Sequence, residues 1–212
     1  MELKDMTVAE LAALTASNSP APGGGAIAAM TGAYGAALAA MVANLTLGKK
    51  GYEDVQDEMA ALAGEAEKLR TELLEAIQKD SSSFDAFMSA LSMPKNTDEE
   101  KAARTAAMQQ ALKEAAEVPY QTALAAARIM PLAEAAVQRG NAKAVTDGLV
   151  SAMMARTAVR GALLNVKINL ESIKDEAYVA QMQEKCQILE GEVVKNESYI
   201  LSLVPSLAYC KS

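Results

Sequence analysis

The sequence predicts an all-α fold, a multihelical array with a buried, alanine- and glycine-rich central helix and several long helices around it. Three observations carry this. Hydrophobic residues make up 51% of the 212 residues, yet aromatics are only 4% and Trp is absent, and Ala, Leu, Glu, Lys, Gln and Met are the residues that favour helix over sheet. Apolar residues recur at helical spacing between capping and breaking signals, and no stretch alternates as a strand does. One segment carries a heptad-like seam over three heptads: Val55, Met59, Leu62, Ala66, Leu69, Leu73 and Ala76 follow one another at steps of four and three. With no Gly/Ser/Pro-rich linker inside the chain, residues 1–212 are expected to form a single helical domain.

Thr7 and Glu10 make a capping box that opens a first helix, about Thr7 to Ser17. Ser17-Asn-Ser-Pro-Ala-Pro-Gly-Gly-Gly25 breaks it, the prolines forbidding helix and the glycines allowing backbone angles that other residues resist. A second helix, about Ala26 to Leu47, stops at Gly48 before Lys49-Lys50-Gly51. From Leu11 to Gly48 there is no charged residue, and by length this helix could cross a bilayer. Its Ala/Gly composition gains little from lipid, so a core helix explains it better. A third helix, about Tyr52 to Ser92, carries the seam. A fourth opens on the capping box of Thr97 and Glu100 and runs to Arg139, with kinks or a break expected at Pro119 and Pro131. A fifth covers about Ala144 to Leu170 and a sixth about Asp175 to Leu203.

The charges exclude several functions. Twenty Lys+Arg against 27 Asp+Glu leave a net charge of −7, the wrong sign for a nucleic-acid binder. With no histidine, Ser/His/Asp and Cys/His nucleophile systems and HExxH zinc sites are impossible, and no metal site is expected. Acid/base work falls to carboxylates, Lys, Tyr, Cys or the substrate. Cys186 and Cys210 form neither a disulfide framework nor a CxxC pair, and the N-terminus lacks the pattern of a secretory signal. A reducing cytoplasm, without membrane association, is the expected setting.

Two features stand out as candidate sites. Pro22-Gly-Gly-Gly25 before a helix offers amides that attract an anion or a carbonyl oxygen, or is simply a tight turn. It is no dinucleotide fingerprint, since no strand precedes it. Asp80 is the next position in the heptad series, a carboxylate on an apolar seam. It either bonds a neighbouring helix or holds a proton near neutrality because burial raises its pKa. Asn141 and Asp147 flank a helix start, where caps are ordinary. Asn44, Asn165 and Asn169 lie within apolar helices and need partners, from other helices or from a ligand.

Ser17-Asn-Ser-Pro-Ala-Pro-Gly-Gly-Gly-Ala26, followed by Met41-Val-Ala-Asn-Leu-Thr-Leu-Gly-Lys-Lys50 and Tyr52, resembles the cyclodeaminase/cyclohydrolase family, which includes the C-terminal domain of formiminotransferase-cyclodeaminase. Asp80-Ser-Ser-Ser-Phe84 is similar to the family's Asp-x-x-Ala-Phe, Met93-Pro-Lys95 to its Leu-Pro-Lys, Gly140-Asn141 with Thr146-Asp147 to its Gly-Asn and Ser-Asp, and Asn165-Val-Lys-Ile-Asn169 to its Asn-Val-x-Ile-Asn. Ser83, Met93 and Thr146 depart from the commoner residues. The resemblance implies a homodimeric enzyme without a tightly bound cofactor whose substrate is a tetrahydrofolate derivative, with or without a polyglutamate tail. Such enzymes convert 5-formiminotetrahydrofolate to 5,10-methenyltetrahydrofolate and ammonia, or hydrolyse the methenyl form to 10-formyltetrahydrofolate. Under it, Asp80 and Asp147 are the candidates for proton transfer. Ser19, Pro22, Gly23, Gly24, Gly25, Asn44, Asn141 and Asn165 would orient substrate polar groups, and Lys49, Lys50 and Lys95 would meet the anionic tail. A helical interaction module and a membrane-associated helical protein are the alternatives from other classes.

Overall fold

Residues 2–207 are described by a computed structural model, and among them there is no strand. The helices are α1 (Val8–Thr15), α2 (Gly24–Asn44), α3 (Gln56–Leu91), α4 (Asp98–Ala127), α5 (Ile129–Arg139), α6 (Val145–Leu170) and α7 (Glu176–Ser202), joined by turns that include short 3-10 segments. Both capping boxes form. The Thr7 and Thr97 side chains accept from the amides of Glu10 and Glu100, whose carboxylates reach back to the cap amides.

α2 lies in the middle, packed most extensively on α3 and α6. Its small residues let α6 come close. A Cβ added at Gly35 would meet Met154 at 3.3 Å, one at Gly32 would meet Ala158 at 3.4 Å, and one at Gly161 would meet Ala28 at 3.3 Å. Numbers rise along α2 as they fall along α6, so the two helices run antiparallel. The Ser151 hydroxyl ties them, donating to the Gly35 carbonyl at 2.7 Å. The expected core helix is therefore found, starting two residues earlier and ending sooner than its predicted bounds. It is long and apolar enough to cross a membrane, with a mean hydropathy of 1.6, but Ala29, Ala36, Ala39 and Val42 are wholly enclosed by protein.

The fourth predicted helix is two. Pro131 has no amide to offer the carbonyl of Ala127, and its ring collides there in a continuous helix, so α4 ends at Ala127. In α5 the same proline is the third residue, where an amide has no intrahelical partner to lose. Pro119 behaves differently and stays inside α4. What it removes is the hydrogen bond to the carbonyl of Ala115, four residues earlier.

The glycine run corrects a second expectation. Gly23 is extended (φ −110°, ψ −158°), Gly24 and Gly25 form the first turn of α2, and none of the three has a positive φ. At Gly24 and Gly25 smallness is needed for the close approach of Asn165 and Asp80, not for unusual backbone angles, while a Cβ at Gly23 would meet only the Pro20 carbonyl oxygen at 3.7 Å. Cys186 is buried and free, while Cys210 lies outside the described residues.

Candidate active site

α3 crosses the first turn of α2 at the point where its apolar seam turns polar. The Asp80 carboxyl group rests against the Cα of Gly25, so close that a Cβ there would overlap it, 2.6 Å from Cγ. Residue 25 is glycine because Asp80 occupies the space. The amide of Ala26, one of the first-turn donors that α2 cannot satisfy internally, faces this carboxylate and favours its ionised form. Burial pushes the Asp80 pKa above the ordinary carboxylate value, and the nearby Ala26 amide pulls it part of the way back.

Beside this pair opens a cavity of about 390 Å³. Pro20, Ala21, Gly23 and Gly24 form one wall, with Asp80, Ser81, Ser83, Phe84 and Phe87 from α3, Leu112 and Ala115 from α4, and Asn165, Ile168 and Asn169 from α6. Phe84 and Phe87 are the chain's two phenylalanines. Asn165 Nδ2 donates to the Gly161 carbonyl at 2.9 Å, and its carboxamide lies over Gly24, 3.2 Å from a Cβ built there. Asn169 Nδ2 donates at 2.7 Å to the carbonyl of Ala115, the acceptor that Pro119 leaves free. Ser81 is 7% exposed, and its hydroxyl is the one buried side-chain polar atom among the described residues without a partner.

Asp80, Gly23, Gly24, Gly25 and Asn165 thus come together. Ser19 and Pro22 lie in the loop that leads to them, the Ser19 hydroxyl donating to the Ala21 carbonyl at 2.6 Å and Pro22 buried. Lys95 is exposed in the turn between α3 and α4 and does not line the cavity. The remaining candidates gather at the other end of the α2–α6 pair. Asn44 ends α2, about 30 Å from Gly24 at 1.5 Å per residue, and Asp147 stands in the first turn of α6, about 27 Å from Asn165. Lys49 lies over the Tyr52 ring, 6.0 Å from its centroid, and Lys50 is exposed. Asn141 spends its polar groups on structure. Its amide donates to Thr46 Oγ1 at 2.8 Å and its Nδ2 to the Leu45 carbonyl at 3.3 Å, while Oδ1 accepts from Lys143. Asp80 and Asp147 do not meet within one chain.

Residues 7–188 match the formiminotransferase-cyclodeaminase family. The chain belongs to that family. It is 43% identical over 176 residues to a methenyltetrahydrofolate cyclohydrolase of Methylorubrum extorquens, covering 83% of each chain. A formimidoyltransferase-cyclodeaminase of Sus scrofa is 35% identical over 185 residues, which is 87% of this chain but only 34% of that one. The crystal structure of a formiminotetrahydrofolate cyclodeaminase from Thermotoga maritima superposes with a TM-score of 0.87 at 31% identity, covering 98% of this chain and all of that one. The protein is an enzyme of the cyclodeaminase/cyclohydrolase type in folate one-carbon metabolism.

Sequence reasoning assigned no site role to Ser81, Phe84 or Phe87 and left the partner of Asn169 open between another helix and a ligand; all four line the cavity of this family member. The signals were present. The two phenylalanines sit one and two helical turns beyond Asp80, and Asn169 is one turn beyond Asn165 on the same face. Pro119 marks Ala115 as a carbonyl in need of a donor, which only the fold shows to be Asn169.

Proposed function

We propose that this protein closes 5-formiminotetrahydrofolate to 5,10-methenyltetrahydrofolate with loss of ammonia, using Asp80 to move the proton. The observation that carries the reading is the Asp80 carboxyl group, half-enclosed, raised in pKa by burial, and held by the Ala26 amide at the edge of a cavity of ligand size. Attack of N10 on the protonated formimino carbon gives a tetrahedral carbon bearing an amino group. The Asp80 carboxylate takes the proton from N10 and gives it to that amino nitrogen. The carbon–nitrogen bond then breaks, ammonia leaves with the bonding pair, and the methenyl cation remains. Burial favours the protonated carboxyl and the Ala26 amide the ionised one, the two states between which the relay alternates. Phe84 and Phe87 give flat rings a surface to lie against.

The 43% identity to a cyclohydrolase of similar span favours a second reading. In it, Asp80 takes a proton from the water that attacks the methenyl carbon and returns it to N5 as the N5–carbon bond breaks, giving the 10-formyl product and one proton to solvent. Purified protein supplied with each folate separates the two, through ammonia release for the first and loss of methenyl absorbance for the second. Turnover of neither would refute both.

The reading extends to a cytoplasmic homodimer that works without a tightly bound cofactor or membrane. What supports the dimer is an uncovered apolar face. Tyr34 and Met41 on α2, Leu45 just beyond its end, and Val150, Leu164 and Ile168 on α6 are exposed at heptad spacing. Two copies paired through this face about a two-fold axis across the middle of α6 set one end of the helix pair against the other. Asn44, Lys49, Lys50 and Asp147 of each copy then stand near the Asp80 cavity of the other, where the lysines meet a polyglutamate tail.

A further inference from the structure

The two asparagines of α6 line the cavity with one N–H of each side-chain amide already committed. Asn165 Nδ2 is held by the Gly161 carbonyl, and Asn169 Nδ2 by the Ala115 carbonyl that Pro119 leaves without a helical donor. Each bond fixes which way the carboxamide faces, and it leaves the Oδ1 oxygen, with the second N–H of the same group beside it, for a ligand. No donor among the described residues is bonded to either. The residues are one turn apart on one face, about 6 Å along the axis. The cavity therefore holds two carboxamide oxygens in a row, each fixed in orientation and free to accept. Ser81 on α3, whose buried hydroxyl has no partner, lines the same cavity.

We infer that Asn165 and Asn169 read the reduction state of the pterin ring by accepting from its N8–H and 2-amino groups. This deepens, and rests on, the folate reading above. Both donors lie on one edge of the ring, flanking N1. In tetrahydro- and 7,8-dihydropterins N8 carries a hydrogen. In the fully oxidised ring N8 is an unprotonated acceptor, which would face an asparagine oxygen with no hydrogen between them. A site built to pair with an N–H strongly disfavours the analogue lacking it, because its own buried acceptor is left unmatched. The pinned nitrogens matter as much as the free oxygens. A carboxamide free to flip would present its NH2 group to an oxidised ring and lose the distinction.

The test is equilibrium binding of tetrahydrofolate, 7,8-dihydrofolate and folic acid to the wild-type protein, Asn165→Ala and Asn169→Ala, with melting temperatures to confirm folding. The dihydro form is the decisive probe, because it shares N8–H with the first ligand and an unsaturated N5 with the last. The wild-type protein should bind both reduced forms at least about tenfold more tightly than folic acid. In each folded variant that ratio should fall to within about threefold. If Asn169→Ala does not fold, because the Ala115 carbonyl is orphaned, Asn165→Ala alone decides. Equal binding of all three ligands by the wild-type protein overturns the inference, as does a ratio that survives in a folded variant. Dihydrofolate that behaves like folic acid overturns it too, since N5 rather than N8 is then being read. Failure of the wild-type protein to bind any of the three overturns the folate reading and this inference with it.

Discussion

Asp80 occupies the space in which any residue at position 25 other than glycine would place its Cβ. The same contact brings the carboxyl group within reach of the Ala26 amide, so one glycine fixes both the position and the electrostatic surroundings of the proposed proton carrier. Gly25→Ala should displace Asp80 and lower turnover by about 100-fold or more, since small misplacements of a catalytic group are costly. Gly64→Ala on α3, where an added Cβ meets nothing within 4 Å, should leave turnover unchanged and stabilise the protein by about 0.5 to 1 kcal/mol. Steady-state kinetics and thermal melts of the two variants check this. Full activity in Gly25→Ala would show that the Asp80 position is not critical.

The raised pKa of Asp80 has a stability consequence of definite sign. The native carboxyl group binds its proton more tightly than the same group in the unfolded chain, so between the ordinary Asp value and the raised one the native state holds more protons. Stability from this group is therefore lost as pH rises across that window, and the ionised, buried carboxylate weakens the fold above it. Asp80→Asn keeps an oxygen for the Ala26 amide and removes the charge. Its melting temperature should match the wild type below about pH 4 and exceed it by a few degrees near pH 8. The reverse order at pH 8 would mean that the carboxylate is stabilised by its surroundings.

The proposed dimer makes each site from two copies. Asp80→Asn homodimers should be inactive and Lys49→Glu/Lys50→Glu homodimers weak on polyglutamylated substrate at low salt. Dissociated and reassembled together, they should recover about a quarter of wild-type activity, because half the dimers are mixed and each has one intact site. No recovery, with mixed dimers shown to form, would place the lysines and Asp80 of one chain in the same site.

Lys49 on its own separates tail binding from a helix-end effect. Lys49→Ala should raise KM more for polyglutamylated than for monoglutamylated folate, and added salt should shrink the difference. Equal effects on both substrates would leave only its contact with Tyr52 and its charge near the C-terminal end of α2.

The helices were legible because their signals are local. Thr7–Glu10 and Thr97–Glu100 announce their caps, and the three-four seam from Val55 to Ala76 traces the buried line of α3. The break expected at Pro131 is found three residues earlier, at Arg128, because Pro131 acts on the carbonyl of Ala127, four residues before it, and so ends α4 ahead of itself. Asp80 was legible as a charge where an apolar residue belonged. The purpose of the glycine run was not, since composition suggests conformational freedom and only the packing of α3 and α6 reveals Asp80 over Gly25 and Asn165 over Gly24. Nor can a linear sequence show that Asn141 spends its polar groups on Thr46, Leu45 and Lys143. Residues that resemble one motif set lie at opposite ends of one helix pair.

Turnover of Asp80→Asn on 5-formiminotetrahydrofolate and on 5,10-methenyltetrahydrofolate, with substrate affinity and melting temperature measured on the same preparation, tests the proton-transfer role most directly. The amide keeps the shape of the side chain but cannot carry the proton, so turnover on whichever folate the wild-type protein uses should fall by about 100-fold or more. Affinity should stay within about threefold and the melting temperature at pH 7 should not fall. Near-normal turnover of a folded Asp80→Asn protein, or a lowered melting temperature with normal activity in the fraction that remains folded, would contradict the assignment and leave Asp80 a cap on α2.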